Sequence, residues 1–174
     1  MCIRDRHRHP EVGFDLPETK ALVKKALTEM GYTPQDCGKC GVLALAGGKR
    51  PGKTILLRGD MDALPVAEES GEPFASVNGC MHACGHDMHA TALLGAARLL
   101  KARETELVDA NATVKLLFQP GEETFEGARA AIADGLLQNP RPQAAFAMHV
   151  NSQSPLGLVL YGLSLIHISE PTRP

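Results

Sequence analysis

Ala112–Glu123 reads ATVKLLFQPGEE and combines a strand pattern with a pair of acids. The residues from Ala112 to Phe118 are largely apolar and β-branched, which predicts a buried β-strand. Glu122 and Glu123 follow shortly after its end. In open α/β sheets, sites form just beyond the carboxyl ends of the strands. The stretch therefore predicts a sheet and a functional site at one of its edges.

The segments on either side alternate between helical and strand patterns. The predicted helices are Pro17–Met30, Ala90–Arg103 and Phe125–Asp134, and the further strands are Gly41–Ala46, Thr54–Leu57, Ala144–Val150 and Leu156–Tyr161. A turn of sequence GGKRPG joins the first two of these strands, which predicts a hairpin. The alternation predicts an α/β fold, a layered sheet with flanking helices in which at least some strands are parallel.

The composition is that of an ordinary globular protein. The 174 residues include 18 basic and 20 acidic side chains, for a formal net charge of −2, and 44% are hydrophobic. These values exclude a disordered chain and a strongly basic nucleic-acid-binding protein. No apolar run approaches the roughly 18–20 residues of a membrane span. From the charge and the apolar runs together, we expect neither a nucleic-acid nor a membrane partner. The odd number of cysteines, 5, argues against a disulfide framework and favours a cytoplasmic location.

The two ends of the chain differ from the rest. Residues 1–6 (MCIRDR) and 163–174 (LSLIHISEPTRP) resemble translated sequencing adapters and continue no predicted element. Genuine ends of poor order are the alternative interpretation. We interpret both ends as non-native or disordered, which leaves 7–162 as the part that carries the fold and the chemistry.

A second stretch is rich in side chains that bind metal ions. Asn78–His89 reads NGCMHACGHDMH and holds cysteines, histidines and an aspartate. Cys84 and His86 are two residues apart, and such residues point to the same side of an extended segment. His149 lies at the end of another predicted strand. With the acids that follow Ala112–Phe118, three separate segments are predicted to bring Cys, His, Glu and His to one crevice.

This mixture of side chains favours transition metals. Thiolate, imidazole and carboxylate together suit Zn, Mn, Co or Ni better than Mg or Ca. If one of the adjacent acids Glu122 and Glu123 binds a metal ion, its neighbour is free to take a proton from water. A metal ion also acidifies that water and polarises a carbonyl, which predicts amide hydrolysis. Asp60 and Asp62 are predicted either to orient histidine ligands or to form a polar turn before Pro65.

Two other motifs allow different interpretations. Gly47–Thr54 (GGKRPGKT) matches a phosphate-binding loop, but a strand is predicted after it where that loop needs a helix, and Pro51 removes an amide donor. We interpret it as a turn. Cys37 and Cys40 have the spacing of a zinc or redox pair, which the cysteines of Asn78–His89 could complete. We interpret them as incidental, and a non-catalytic structural-zinc protein stays an alternative.

Several motifs, in order along the chain, resemble one enzyme family: HPEVGFDLPETK (9–20), RGDMDALPV (58–66), MHACGHDMHA (81–90), FQPGEE (118–123) and AMHV (147–150). The chain resembles the bacterial and plant amidohydrolases that include hippurate hydrolase, N-acyl-amino-acid hydrolases and auxin-conjugate hydrolases. These enzymes belong to the aminoacylase-like branch of the dinuclear metallopeptidases. The resemblance covers roughly residues 7–162 and implies a partial catalytic domain of that fold.

The resemblance implies roles for particular residues. It implies two divalent transition-metal ions bound by Cys84, His86, Glu123 and His149. It also implies that Glu122 is the general base and that Asp62, an acidic position behind the site, is a further catalytic residue. The implied reaction cleaves the amide bond of an N-acyl amino acid, with Glu122 passing a proton from water to the leaving nitrogen. A dipeptidase or aminopeptidase of the same superfamily is the alternative.

The length of the chain departs from this family. Its members are much longer and carry a second, smaller domain for dimerisation and for closing over the substrate. They also supply a further histidine ligand from near the C-terminus. The resemblance therefore implies an N-terminal fragment with an incomplete site, from a parent enzyme that we expect to form homodimers.

Overall fold

The structure, a computed structural model, describes residues 3–48 and 52–162 around one five-stranded sheet. The strands are β1 (Gln35–Cys37), β2 (Gly41–Gly47), β3 (Lys53–Asp60), β4 (Ala112–Gln119) and β5 (Ala144–Ala147). The helices are α1 (Ile3–Arg8), α2 (Pro17–Glu29), α3 (His86–Ala102), α4 (Glu104–Asp109) and α5 (Gly127–Ala133). The predicted α/β fold with flanking helices is confirmed. The segment 163–174, interpreted above as non-native or disordered, lies outside the described residues.

The order of the strands, β1-β2-β4-β3-β5, puts β4 at the centre. β2 runs antiparallel to β4, whereas β3 runs parallel to β4, and β5 runs parallel to β3. β3 and β4 pair over their full length, from Lys53 opposite Ala112 to Asp60 opposite Gln119. The carboxyl ends of β3, β4 and β5 therefore meet at one edge of the sheet, where the sequence predicts the site.

Successive side chains of β4 pack against different helical layers. Val114, Leu116 and Phe118 belong to the larger apolar cluster, which also holds buried residues of α2 and α3. Leu117 points to the opposite face and packs in a smaller cluster with Ala131 of α5. β4 is thus buried on both faces, as is typical of a strand with parallel pairing between two layers of helices.

α2 begins at the predicted residue and ends one residue before the predicted end. Pro17 occupies the first turn, where its missing N–H needs no partner. Gly31 has a φ of +85°, the left-handed conformation that ends many helices, and the Tyr32 N–H donates to the Leu27 carbonyl at 3.0 Å. Among the helices within the described ranges, we find none with the length and apolar character needed to cross a bilayer.

The predicted hairpin between β2 and β3 is wrong, because β4 lies between these two strands. The Gly48 N–H donates to the Ala112 carbonyl at 3.0 Å, and the Lys53 N–H donates to the Asn111 carbonyl at 3.1 Å. The described residues on both sides of the connection therefore bond to the chain at the start of β4, at Ala112 and at Asn111 just before it. A turn signal in the sequence does not specify which strand fills the gap between its neighbours.

The predicted strand Leu156–Tyr161 is also wrong, since that segment forms turns and irregular structure and lies largely exposed. Within the described residues the outer edge of β5 stays unpaired, so this segment does not extend the sheet. The helix predicted from Phe125 begins at Gly127 because Phe125 has a φ of +58°, outside the helical region. α3 begins earlier than predicted, at His86.

α1, whose first residues fall in the segment set aside above, is tied to the rest of the fold by polar contacts. Buried Arg6 donates from Nη1 to Thr19 Oγ1 at 2.9 Å. His7 lies between two carboxylates, with Nδ1 2.9 Å from Asp87 Oδ2 and Nε2 2.8 Å from Glu68 Oε1. Burial by itself lowers the pKa of His7, but hydrogen bonds to these two acids outweigh it, and the pKa is raised.

We expect Phe118 to be a main source of stability, because its side chain is fully buried in the central strand. Phe118→Ala leaves a cavity and should lower the free energy of unfolding by about 3–5 kcal/mol. The matched control is Phe125→Ala, since the Phe125 side chain is 88% exposed. This second change should alter stability by less than about 0.5 kcal/mol. Urea titration measures both variants, and equal losses would contradict the position of the core.

The contacts of His7 should make stability depend on pH. Because the folded pKa lies above the unfolded value, the stabilisation is fully present below the unfolded pKa and is lost as the pH rises through the folded pKa. His7→Gln should therefore destabilise the protein more at pH 6 than at pH 9, as read from urea midpoints. His9→Gln is the control, since His9 is exposed and lies on the same short segment. An equal loss at both pH values would contradict the ion pairs.

Candidate metal and catalytic site

Gly85 shapes the segment that carries the first two candidate ligands. Its φ is +77°, a left-handed conformation that suits glycine, and it is the residue that precedes the first turn of α3. His86 therefore opens α3, whereas the sequence predicts an extended segment. The two side chains still share one side, because ligand atoms of Cys84, His86 and Glu123 lie within 4.8 Å of one another.

One carboxylate, that of Asp62, holds the backbone of both glutamates. The N–H groups of Glu122 and Glu123 donate to Asp62 Oδ1 and Oδ2, each at 3.1 Å. The backbone carbonyl of Asp62 is 2.8 Å from His86 Nδ1. Asp62 is fully buried behind these residues. These contacts suit the orienting role that the sequence allows for Asp62, and its role as a catalytic residue stays a prediction.

The other ring nitrogen of His86 faces three carboxylate oxygens. His86 Nε2 lies 3.7 Å from Asp60 Oδ2, 3.7 Å from Glu122 Oε2 and 3.8 Å from Glu123 Oε1. Because Nδ1 donates to the Asp62 carbonyl, Nε2 of a neutral ring directs its lone pair at these oxygens, and the two repel. A proton on Nε2 or a metal ion among these groups removes the repulsion. Burial alone lowers the pKa of His86, but Asp62, Asp60 and Glu122 outweigh it and raise that pKa.

The side chains around His86 fit a transition-metal ion. Glu123 Oε1 is buried and has no hydrogen-bond partner among the described residues, which is costly for a carboxylate oxygen. A hydrogen bond with Glu123, burial and nearby acids raise the pKa of Cys84 to about 11. The thiol keeps its proton under these conditions, whereas a metal ion would replace that proton. Thiol, imidazole and carboxylate around one unpartnered oxygen suit Zn, Mn, Co or Ni.

The structure brings together three of the four predicted ligands, and His149 is the exception. His149 is exposed, and its Nδ1 lies 2.6 Å from the Val150 carbonyl. Its ring is beside that of His89, with 4.8 Å between the ring centroids. His149 joins no group of three possible ligands among the described residues. Its predicted role as a ligand therefore stays a prediction.

Sequence reasoning missed His89, which is buried inside the site. Possible ligand atoms of Asp60, His86 and His89 lie within 4.8 Å of one another. His89 Nδ1 is 2.5 Å from Asp60 Oδ1. The signal that could have found it is the spacing of His86 and His89, since residues three apart on a helix face the same side.

Neither alternative motif gathers a site. Cys37, Cys40 and Cys80 are free and belong to no group of three possible metal ligands in the part of the chain that the structure describes. Cys37 is buried, with its thiol donating to the Ala131 carbonyl at 3.9 Å, so it behaves as a core residue. The residues that follow Gly47–Thr54 form β3, which supports the interpretation as a turn.

A comparison with known families assigns the chain. Residues 56–171 match the family described as Peptidase family M20/M25/M40. The chain belongs to this family. The resemblance inferred from the sequence motifs is thereby confirmed at the level of the family.

Similar proteins of this family are known in bacteria and plants. N-acetylcysteine deacetylase of Bacillus subtilis (strain 168) is 41% identical over 159 residues, which are 90% of this chain and 40% of that protein. IAA-amino acid hydrolase ILR1-like 6 of Arabidopsis thaliana is 44% identical over 158 residues, 90% of this chain and 33% of that protein. The chain thus spans less than half the length of these relatives.

A solved structure has the same fold. It is the crystal structure of the Bacillus subtilis YXEP protein, described as a dinuclear metal binding peptidase from the M20 family. The TM-score is 0.81 with 41% sequence identity, and the match covers 89% of this chain and 43% of that one. The predicted fold, a partial catalytic domain of the dinuclear metallopeptidase type, agrees with this match.

We expect metal binding to depend on Cys84 and Glu123 and not on the other cysteines. Cys84→Ser and Glu123→Ala should each weaken cobalt(II) binding by more than about tenfold, because each removes a ligand. Cys40→Ser and Cys37→Ser are the matched controls and should leave the affinity unchanged. Calorimetric titration with cobalt(II) measures the affinity of all four variants. Loss of binding in Cys37→Ser, with retention in Glu123→Ala, would favour the structural-zinc alternative.

Proposed function

We propose that the protein to which this chain belongs is a metal-dependent amidohydrolase that cleaves the amide bond of N-acyl amino acids. One observation carries the proposal: adjacent acids held by Asp62 take different surroundings. Glu123 belongs to one group of possible ligands with Cys84 and His86, and its side chain is 20% exposed. The side chain of Glu122 is 35% exposed and lies outside that group, with Oε2 3.7 Å from His86 Nε2. This division suits one acid that binds a metal ion and one that moves protons.

The comparisons support the proposed class of substrate. The relatives named N-acetylcysteine deacetylase and IAA-amino acid hydrolase both carry names of hydrolases acting on amino-acid derivatives. Amides of this kind share a carbonyl that water attacks and a nitrogen that needs a proton to leave. In this proposal Glu122 takes a proton from the attacking water and then gives it to that nitrogen.

We propose that two divalent ions of Mn, Zn, Co or Ni bind here, with Cys84, His86, Glu123 and His149 as ligands from this chain. The match to a dinuclear metal binding peptidase supports the number of ions, and the donor set supports their type. The case for His149 rests on the motif resemblance and on its position beside His89.

Such ions supply an acidified water and polarise the substrate carbonyl. Glu122 takes a proton from the attacking water, whose oxygen forms the new bond to the carbonyl carbon. The same carboxyl then gives that proton to the nitrogen as the C–N bond breaks, which yields a carboxylate and a free amine. Asp62 keeps the Glu122 backbone in place during this transfer. It bonds to the Glu122 backbone N–H, so the bond remains whether the Glu122 carboxyl is protonated or not.

The remaining expectations are part of this proposal. A homodimeric parent, a small-molecule substrate and the absence of nucleic-acid and membrane partners stay predictions from the sequence. A cytoplasmic location is supported by the free state of Cys37, Cys40, Cys80 and Cys84. The extent of the catalytic domain, 7–162, is proposed on the same motifs, with 1–6 and 163–174 outside it by sequence. The contact of buried Arg6 with Thr19 argues for including the described residues of α1.

The activity can be tested in a chimera. This chain covers 40% of the Bacillus subtilis deacetylase. In the chimera it replaces that matching segment, and the deacetylase supplies the remaining residues. Glu122→Gln should lower kcat by about 10²–10⁴-fold, since an amide cannot carry the proton, and should leave cobalt(II) affinity nearly unchanged. Glu126→Gln is the matched control, an exposed acid four residues away, and should keep full activity.

Two results would contradict this proposal. An unchanged kcat in Glu122→Gln would exclude Glu122 as the base. Faster hydrolysis of free dipeptides than of N-acetyl and N-benzoyl amino acids would favour the dipeptidase alternative. Both are read from steady-state release of the free amine.

A further inference from the structure

His89 uses both of its ring nitrogens inside the fold. Nε2 accepts a hydrogen bond from the Val150 N–H at 2.9 Å, and Nδ1 lies 2.5 Å from Asp60 Oδ1. An amide N–H can only donate, so Nε2 carries the lone pair and Nδ1 carries the proton. His89 is therefore held as one tautomer that donates to Asp60 and accepts from Val150. It keeps no lone pair for a metal ion.

Asp60 is itself fixed by neighbours at the sheet edge. Arg58 Nη1 lies 2.5 Å from Asp60 Oδ2, and Arg58 Nε donates to Gln119 Oε1 at 3.0 Å. Asp60 is 1% exposed and His89 is 2% exposed. The ends of β3 and β4 thus form a rigid base from which His89 reaches across to the chain that follows β5.

That chain has little apolar packing of its own. β5 is exposed throughout, and the side chains of Phe146 and Met148 are 59% and 48% exposed. His149 is exposed as well. Segments with few buried contacts are held mainly by their hydrogen bonds. The bond from Val150 to His89 is therefore a principal anchor for residues 148–150.

A second contact joins Val150 to the loop that carries Cys84 and His86. A Cβ atom on Gly85 would collide with Val150 Cγ2, so the valine side chain lies directly against the glycine. Gly85 separates Cys84 from His86. Val150 is thus held at its amide by His89 and at its side chain by the loop that carries two proposed ligands. Its neighbour His149 follows the same backbone.

We propose that Asp60, His89 and the Val150 amide form a relay that holds His149 beside the Cys84–His86 loop. His89 is a positioning residue in this relay and does not bind the metal. The relay rests on the proposed function in one respect, the role of His149 as a ligand. The geometry of His89 stands apart from that role, which allows the two to be tested separately.

Two substitutions at His89 separate its donor from its acceptor. Asn places an amide nitrogen near the position of Nδ1 and keeps the bond to Asp60, but does not reach Val150. Gln places an oxygen near the position of Nε2 and keeps the acceptor for Val150. Hydrogen exchange of the Val150 amide should be about tenfold faster in His89→Asn, as expected for loss of one net hydrogen bond, and close to wild type in His89→Gln. Equal exchange in the Asn variant and wild type would overturn the relay.

A double-mutant cycle tests the link to His149. His89→Asn should weaken cobalt(II) binding by about 10–100-fold, and His89→Gln should restore most of it. In a His149→Ala background, His89→Asn should cause no further loss, since the residue that it positions is gone. Additive losses would overturn the relay. A wild-type chain that binds no cobalt would count against the proposed function, and the exchange measurement would then decide the relay alone.

A measurement on the unsubstituted chain tests the relay even if the His89 variants fail to fold. With ¹⁵N-labelled histidine, nuclear magnetic resonance distinguishes the two neutral tautomers of His89. The relay requires the proton on Nδ1 and a hydrogen-bond coupling between the Val150 amide and Nε2. A proton on Nε2 would overturn it.

Discussion

The site depends on the buried carboxylate of Asp62. Its two oxygens accept hydrogen bonds from the consecutive N–H groups of Glu122 and Glu123, and its backbone carbonyl accepts from His86. One residue at the end of β3 therefore fixes the chain after β4 and the start of α3. Fixing two consecutive amides also fixes where both side chains begin, and both carboxylates reach His86 Nε2, at 3.7 and 3.8 Å. Glu123 can then face the ligand cluster while Glu122 takes a more open position.

These hydrogen bonds of Asp62 form because the sheet brings the chain after β3 and the chain after β4 to one edge. β3 and β4 run parallel and stay in register up to Asp60 and Gln119, so both chains leave the sheet at the same height. The register is firmly specified, because β4 is buried on both faces and a slip by one residue would exchange its two sets of side chains. The position of the acids thus follows from the packing of Leu116, Leu117 and Phe118.

The sequence predicted the long, strongly patterned elements and most of the cluster, but not the contacts that depend on tertiary structure. α2, β4 and the grouping of Cys84 with Glu123 follow from periodicity and from the rule for strand ends. The neighbour of β2 did not, because a turn does not specify pairing, and Leu156–Tyr161 is apolar yet finds no partner strand. His89 was missed because its role depends on hydrogen bonds to Asp60 and Val150, which are far from it in the sequence.

The charges of the site point to a link between metal binding and folding. Four carboxylates, those of Asp60, Asp62, Glu122 and Glu123, surround the buried ring of His86, and of these only Asp60 has an arginine beside it within the described residues. Such an excess of negative charge opposes folding, because buried carboxylates repel one another and lose their hydration. A divalent ion offsets this repulsion in the folded state alone, since the unfolded chain does not hold these groups together. Its binding free energy therefore adds to the stability of the domain. The fold therefore tolerates this arrangement of charges best when an ion lies among them.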